Sequence, residues 1–519
     1  MNAIANWIQA RSTLIIALLA AFIFDRLFYQ LALGANLCLF ALLMSALVVH
    51  RVGWTKLSWP ARWALLGVLI ASVMVVVHHS VVAPIASILS LLWFTALAGE
   101  PGLRSLPFAM GQALGNYVTL PIAALDGIGT VAPERSAARS GWRWARLTVL
   151  PVIVLVIFFQ LYRVGNPKFD HLTAGFLDGM WKMISEFFSF VFTAHVLFWL
   201  FGAFVSAGLL FRFAPNLVLQ WEQQHHDLMR RMRVRRPHWM APLPMNPLER
   251  ERRRAVILLV LVNALLAVVN AIDINWVWFG FQVPEGFSLK QFVHEGTYAL
   301  IFSILLSMVV VLWYFRGNQN FYQKDPWLKR LALLWVAQNA VLGISVFLRN
   351  WHYMSFHGLA YLRIGVIMFL LLMVVGLITL FLKVKERRTL FYLLRVNTWA
   401  AFTVLIGLTT VDWDRLIVRV NLEHSNPGEI DIDNYLAMSD KVLPLLYANL
   451  DLVEQQMARH RNNRVRWVDH LEPQAFRDAL DAKRDRFMER MRSQHWQEWT
   501  WADARTLAAL NEQSIIAQR

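Results

Sequence analysis

The stretch "LLRVNTWAAFTVLIGLTTVDWDRLIVRVNLEHSNPGEIDIDNYL", residues 393–436, decides the fold. Its first part, to Thr410, is mostly apolar and long enough to cross the roughly 30 Å core of a bilayer as helix. From Val411 onward it carries Asp412, Asp414, Arg415, Arg419, Glu423, Glu429, Asp431 and Asp433. A membrane boundary therefore falls near Thr410, with a polar domain beyond it.

Working outward, blocks of the same kind recur back to Ser12. The chain has 519 residues, of which 57% are hydrophobic and 16% charged. A soluble domain is about a quarter charged. Eleven spans are expected, at about 12–28, 32–49, 61–77, 82–98, 145–162, 190–212, 254–274, 295–315, 330–348, 361–383 and 393–410. The first reads as an uncleaved helix rather than a signal peptide, because further spans follow it. The 23 Trp suit the aromatic belts of membrane interfaces.

Charge then orients the chain. The net charge is +16. From Val411 there are 15 Lys and Arg against 18 Asp and Glu, so the first 410 residues carry about +19. The positive residues collect in alternate loops, around Arg51 to Arg62, Arg104 to Arg146, 213–253, Arg316 to Arg330, and Lys383 to Arg388. Short basic loops stay in the cytoplasm. The N-terminus is thus expected inside. An odd number of spans puts the tail outside. The basic balance serves this orientation, and no nucleic-acid partner is expected.

The fold class that follows is an all-α polytopic membrane protein with a small C-terminal helical extramembrane domain. Residues 1–98 form spans one to four, and 99–144 a cytoplasmic loop with an interfacial or re-entrant helix. Residues 145–212 hold spans five and six, with an outer amphipathic helix at 171–189. A basic cytoplasmic loop at 213–253, spans seven to eleven at 254–410 and the extracytoplasmic domain at 411–519 complete the chain. In that domain Asp433 or Ser439 is expected to cap a helix running to about His460, with a kink or a later helix start near Pro444. Further helices are expected at about Pro473–Ser493 and Ala502–Ala517.

Polar residues inside spans are costly, so they mark candidate sites. Asn263, Asn270 and Asp273 share one face of the seventh span. His294 and Glu295 open the eighth, Gln338 and Asn339 lie in the ninth, Arg349 ends it, and Arg363 opens the tenth. These residues can build a polar pocket near the outer leaflet, or can simply pin the bundle by interhelical hydrogen bonds. Glycines in "GQALG" (111–115) and "GAFVSAG" (202–208) would let helices approach closely.

Metal and cofactor signals are weak. His78 and His79 are adjacent and point apart, His195 stands alone, and Cys38 is the only cysteine. "EIDIDNY" lacks the glycine and late glutamate of a calcium loop. "HEGTY" lacks the second histidine of a zinc-protease motif, and no phosphate-binding or nucleophile-elbow motif is present. No metal site and no cofactor are expected.

The tail "WDRLIVRVNLEHSNPGEIDIDNYLAMSDKVLPLL" resembles uncharacterised bacterial membrane proteins grouped as domain of unknown function 4153/4173. The resemblance rests on Trp413, Asp414, Ile417, Arg419, Asn421, Asp433, Tyr435, Leu436, Pro444 and Leu446. "FDRLFYQLALGANLCLF", "VPEGFSLKQFVHEGTYALI" and "HGLAYLRIGV" extend it into the membrane part. The chain departs from that pattern at "HEGTY". The resemblance implies a multi-span bacterial protein and lends no catalytic residue.

Three functions stay open. The first is a non-catalytic envelope component whose outer domain binds or senses an envelope partner, in contact with the bilayer and able to self-associate. The second is a transporter or flippase for a small polar or lipid-headgroup substrate. The third is an envelope enzyme on a lipid-linked substrate, for which no nucleophile stands out.

Overall fold

The computed structural model describes residues 15–16, 18–131, 151, 155, 158–159, 168, 173, 193–212, 216–231, 247–279, 289–322, 326–423, 432–462 and 471–517. Among them no strand forms, apart from one isolated bridge between Leu228 and Arg388. The chain is an all-α polytopic membrane protein. Among the described residues, eight helices are long and apolar enough to cross a bilayer. Helices are the natural solution there, because each backbone N–H and C=O is satisfied within its own segment.

In chain order the helices are α1 (18–28), α2 (Ala35–Val52), α3 (Trp59–Val77), α4 (Val82–Gly99), α5 (Leu106–Val131) and α6 (Ala194–Leu210). Next come α7 (Leu217–Gln223), α8 (Pro247–Asp273), α9 (Leu289–Tyr314), α10 (Pro326–His357), α11 (Tyr361–Glu386) and α12 (Leu390–Thr409). The last six are α13 (Trp413–Leu422), α14 (Asn434–Ala437), α15 (Leu443–Ala448), α16 (Leu450–Asn462), α17 (Pro473–Ser493) and α18 (Trp501–Ala517).

The eight spanning helices are α2, α3, α4, α8, α9, α10, α11 and α12. They coincide with eight of the eleven expected spans. The expected span at 145–162 and the outer helix at 171–189 lie almost wholly outside the described residues, as does most of the run before Leu18. The sixth is an apolar helix of 17 residues, α6. The stretch 104–131 forms one long helix, α5, with Pro121 inside it. The ninth span does not stop at 348. It continues to His357, because nothing breaks it before Gly358, whose φ of +74° terminates α10.

The chain divides into two compact units. The first comprises Met1–Val68, Ile88–Gly102 and Phe108–Leu219. Here Phe24 stacks among Phe28, Phe40, Phe198 and Phe201. Two glycines of the small-residue stretch admit these rings. A Cβ at Gly202 would overlap Phe24, and one at Gly208 would overlap Tyr117. His195 lies 2.8 Å from the Asp25 carboxylate and stacks on Tyr29. Arg212 pairs with Glu100, and Arg51 donates to the Leu210 carbonyl.

The second unit comprises Leu69–Ser87, Leu103–Pro107 and Gln220–Arg519. Its membrane core is built on α10, against which α8, α9 and α11 pack. Leu259, Ile304, Phe315, Val336, Leu342, Leu377 and Leu380 are among its buried members. A separate core lies in the C-terminal helices. It gathers Ile417, Val418, Tyr435, Val442, Leu446, Phe476, Leu480 and Phe487, and takes in Ile364 from α11.

The expected single helix from Asp433 or Ser439 is instead three, α14, α15 and α16. Pro444 starts α15, and Asn449 interrupts the chain after it. Neither expected cap acts as one. The Asp433 carboxylate accepts from the Leu471 amide at 3.3 Å, and the Ser439 hydroxyl donates to Asp414 at 2.5 Å.

Candidate functional site

Two polar constellations stand out in the second unit. The first is a seam between α8 and α10. The Asn263 amide donates to the Leu259 carbonyl of its own helix and to Leu331 of α10, at 2.6 and 3.1 Å. Gln338 donates back to the Asn263 carboxamide at 2.9 Å, and Asn270 donates to the Gln338 carbonyl at 3.1 Å. One turn further, Asp273 and Arg349 form a buried ion pair at 2.5 Å. A lone charge there would be expensive, and the pair neutralises both. The Arg349 guanidinium also lies against Gly296 of α9, where a Cβ would come within 3.1 Å of it.

The candidate pocket residues are therefore brought together in part. Asn263, Asn270, Asp273 and Arg349 share the seam. Arg363 turns elsewhere: its guanidinium donates to the carbonyls of His357 and Gly358 and lies over the Tyr353 ring. It closes the α10–α11 turn rather than joining Asp273. His294 and Glu295 belong to α9, but their side chains lie outside the described residues. Asn339 bonds within its own helix, to the Trp335 carbonyl. Sequence reasoning passed over Trp278, which donates to Ser345 at 3.0 Å and extends the seam.

The second constellation is a joint at the opening stretch. Lys441 is only 2% exposed and reaches Asp414 at 2.8 Å and Asp412 at 3.1 Å. It also donates to the His78 carbonyl at 2.7 Å. One ammonium thus holds the start of α13, the α3–α4 turn and its own segment. His78 bonds to the Thr410 carbonyl, and His79 pairs with Asp503 at 3.4 Å. Arg415 donates to the Lys441 carbonyl and to the Thr506 hydroxyl. Burial pushes the Arg415 guanidinium down from its usual range. Burial pushes the Asp503 carboxyl up, but His79, Arg490 and Thr500 outweigh it and hold the group below the usual Asp range.

The other residues behind the resemblance do related work. Trp413 donates to the Leu408 carbonyl at 2.8 Å, closing the exit of α12. Asn421 accepts from the Leu359 amide and donates to the Leu359 carbonyl, locking α13 onto the α10–α11 turn. Tyr435 is buried in the C-terminal core. Arg419 is exposed on the far face of α13. Lys441 was not singled out in advance. Its signal is a lone cation inside an apolar run, "DKVLPLL", soon after two closely spaced Asp.

At the basic end of the same unit, Glu222 is fully buried and accepts from the backbone amides of Arg104 and Ser105. Asp227 pairs with Arg395 at 2.6 Å. The C-terminal helices also carry an open pocket of about 240 Å³, lined by Leu436, Asp440, Lys483, Arg486, Phe487 and Arg490. Arg490 pairs with Asp440 and with Asp503, the buried Lys483 donates to the Leu436 and Met438 carbonyls, and burial pushes its ammonium down. Trp496, Trp499 and Trp501 are exposed nearby in the sequence. Among the described residues no three His, Cys, Asp or Glu side chains gather as a metal site would need.

A family model described as domain of unknown function (DUF4153) matches residues 13–449. No curated protein and no solved structure matches the chain.

Proposed function

We propose, from the premise that the chain belongs to this DUF4153 family, that it is a non-catalytic component of a bacterial inner membrane. In this reading the membrane bundle is a platform, and the C-terminal domain on the outer face binds or senses another envelope protein. The observation that carries it is the C-terminal domain itself. It has its own core and an open basic pocket at Lys483, Arg486 and Arg490, while most polar groups of the seam are already bonded to each other. An exposed arginine at Arg486 and the exposed tryptophans that follow in the sequence suit an acidic partner surface, since Trp and Arg dominate binding hot spots.

The test places a photoreactive residue at Arg486 or Trp496 and irradiates intact cells. One discrete protein adduct from either site, with the Trp496 adduct lost on an Arg486→Glu/Arg490→Glu background, is the expected result. A uniform smear, unchanged by charge reversal, would sink the reading. A reporter fused after Arg519 checks the side: it should be active only outside the cytoplasm.

A second reading, a transporter or flippase for a small polar or lipid-headgroup substrate, has one observation in its favour. The second carboxylate oxygen of Asp273, the Asn270 carbonyl oxygen and the Thr297 hydroxyl are buried with no hydrogen-bond partner among the described residues. Buried, unpartnered oxygens inside a bundle can receive a passing proton or polar group.

A further inference from the structure

The run "LERERRR", residues 248–254, has so far served only to orient the chain. Helical geometry sorts its charges onto two faces. On one face Glu249 accepts from Arg252 at 2.8 Å, from Arg253 at 2.9 Å and from the Tyr322 hydroxyl at 2.9 Å. That face is saturated by its own contacts. On the other, Arg250 and Arg254 stand one turn apart. With Arg316, Glu251, Trp313 and Tyr314 they line an open pocket of about 490 Å³ between the start of α8 and the end of α9. Arg316 lies 3.6 Å above the Trp313 ring and 3.8 Å from Glu251. Three guanidiniums thus face a single carboxylate.

The same two helices continue the pocket as apolar surface. Ile257, Leu261 and Leu265 follow Arg254 at helical spacing, and all are exposed. Trp313, Val309, Leu306 and Phe302 form the matching exposed row on α9. Both helices pack chiefly on α10, so these rows face outward along a furrow. A cationic, aromatic-rimmed pocket at the end of an exposed apolar furrow has the chemistry of a phospholipid: charge at the head, hydrocarbon along the tail.

We infer that this pocket binds the phosphate headgroup of an anionic phospholipid, with an acyl chain along the α8–α9 furrow. Guanidinium is suited to this, because its fork matches two phosphate oxygens at once. The reading does not depend on the proposed role of the C-terminal domain.

The experiment uses the full chain in detergent micelles, titrated with phosphatidylglycerol or phosphatidylcholine and read by native mass spectrometry. Phosphatidylglycerol should be retained in preference to phosphatidylcholine. Arg316→Gln should weaken that retention about fivefold, and Arg250→Gln/Arg254→Gln more, as expected near an anionic headgroup. Arg252→Gln/Arg253→Gln removes as much charge from the opposite face and should leave retention unchanged. Equal retention of the two lipids, or equal loss in both arginine-pair variants, would overturn the assignment. So would displacement of the lipid by millimolar inorganic phosphate, which would point to a soluble anion. The Arg316→Gln variant keeps Glu249 and its partners intact, so it tests the pocket even if the double variant fails to fold.

Discussion

The α8–α10 seam and the Lys441 joint are both buried ion pairs, yet they are built differently. In the seam one acid meets one base, Asp273 with Arg349, and the neighbouring contacts are amides. At the joint one base meets two acids and a carbonyl, drawn from three chain segments. The seam joins two helices that already pack along their length through apolar side chains. The joint adds the α3–α4 turn to two segments, the start of α13 and the stretch around Lys441, that already share the C-terminal core. A charge within a span is kept neutral by its partner; a charge at the end of a span can serve as a knot.

The comparison predicts unequal consequences. Lys441→Met should be the most damaging change, because it strands two carboxylates in a nearly closed site. A loss of about 4 kcal/mol is expected, in the range for breaking a buried pair by removing one partner. It should appear in chemical denaturation of the purified protein, with the C-terminal helices becoming protease-sensitive before the bundle. If the bundle and tail still unfold together at the wild-type midpoint, the joint is not what holds them.

Asp273→Leu comes next, at about 3 kcal/mol, because it removes the buried carboxylate that Arg349 pairs with. The double variant Asp273→Leu/Arg349→Leu should recover most of that loss, since apolar replacement of a whole buried pair is often neutral. A double variant that is stable but inactive in any transport assay would favour the second functional reading. A double variant as unstable as the single one would mean the pair is bonded to more than each other.

The smallest effect is one of pH. Asp503 has its folded pKa depressed, so the stability it contributes is present above its unfolded value and is lost as pH falls through the folded one. Melting of the tail should therefore weaken as pH drops below about 4, and Asp503→Asn should flatten that part of the profile. An unchanged profile in the variant would remove Asp503 from the account.

How much of this was legible in advance follows from what periodicity encodes. The length and apolarity of the blocks placed eight spans, though α10 runs on to His357 and α8 and α9 start earlier than expected, and the acid–base spacing of α17 placed that helix at Pro473–Ser493. The tail between Asp433 and Asn462 was less readable. Helix breaks there depend on where Pro444 falls within a turn, which composition alone does not reveal. Among candidate sites, residues sharing one helix face were found, because a fixed spacing puts Asn263, Asn270 and Asp273 together. Arg363 was misplaced because nearness in sequence to Arg349 says nothing about which carbonyl a guanidinium will reach. Glu222 went unseen because its partners lie more than a hundred residues away, and Lys441 because a loop separates it from Asp412 and Asp414 and its third partner, His78, lies 363 residues off.

The amide ladder between α8 and α10 has a mechanical consequence. Asn263 and Asn270 stand two helical turns apart and both meet Gln338, one through its side chain and one through its backbone. Sliding α8 by a single turn would pull both amides off their partners at once and expose each to hydrocarbon. The two helices are therefore indexed, like teeth in a rack, rather than free to glide. Any rearrangement of this bundle that preserves its contacts has to pivot about the ladder, with Asp273 and Arg349 on the longer arm.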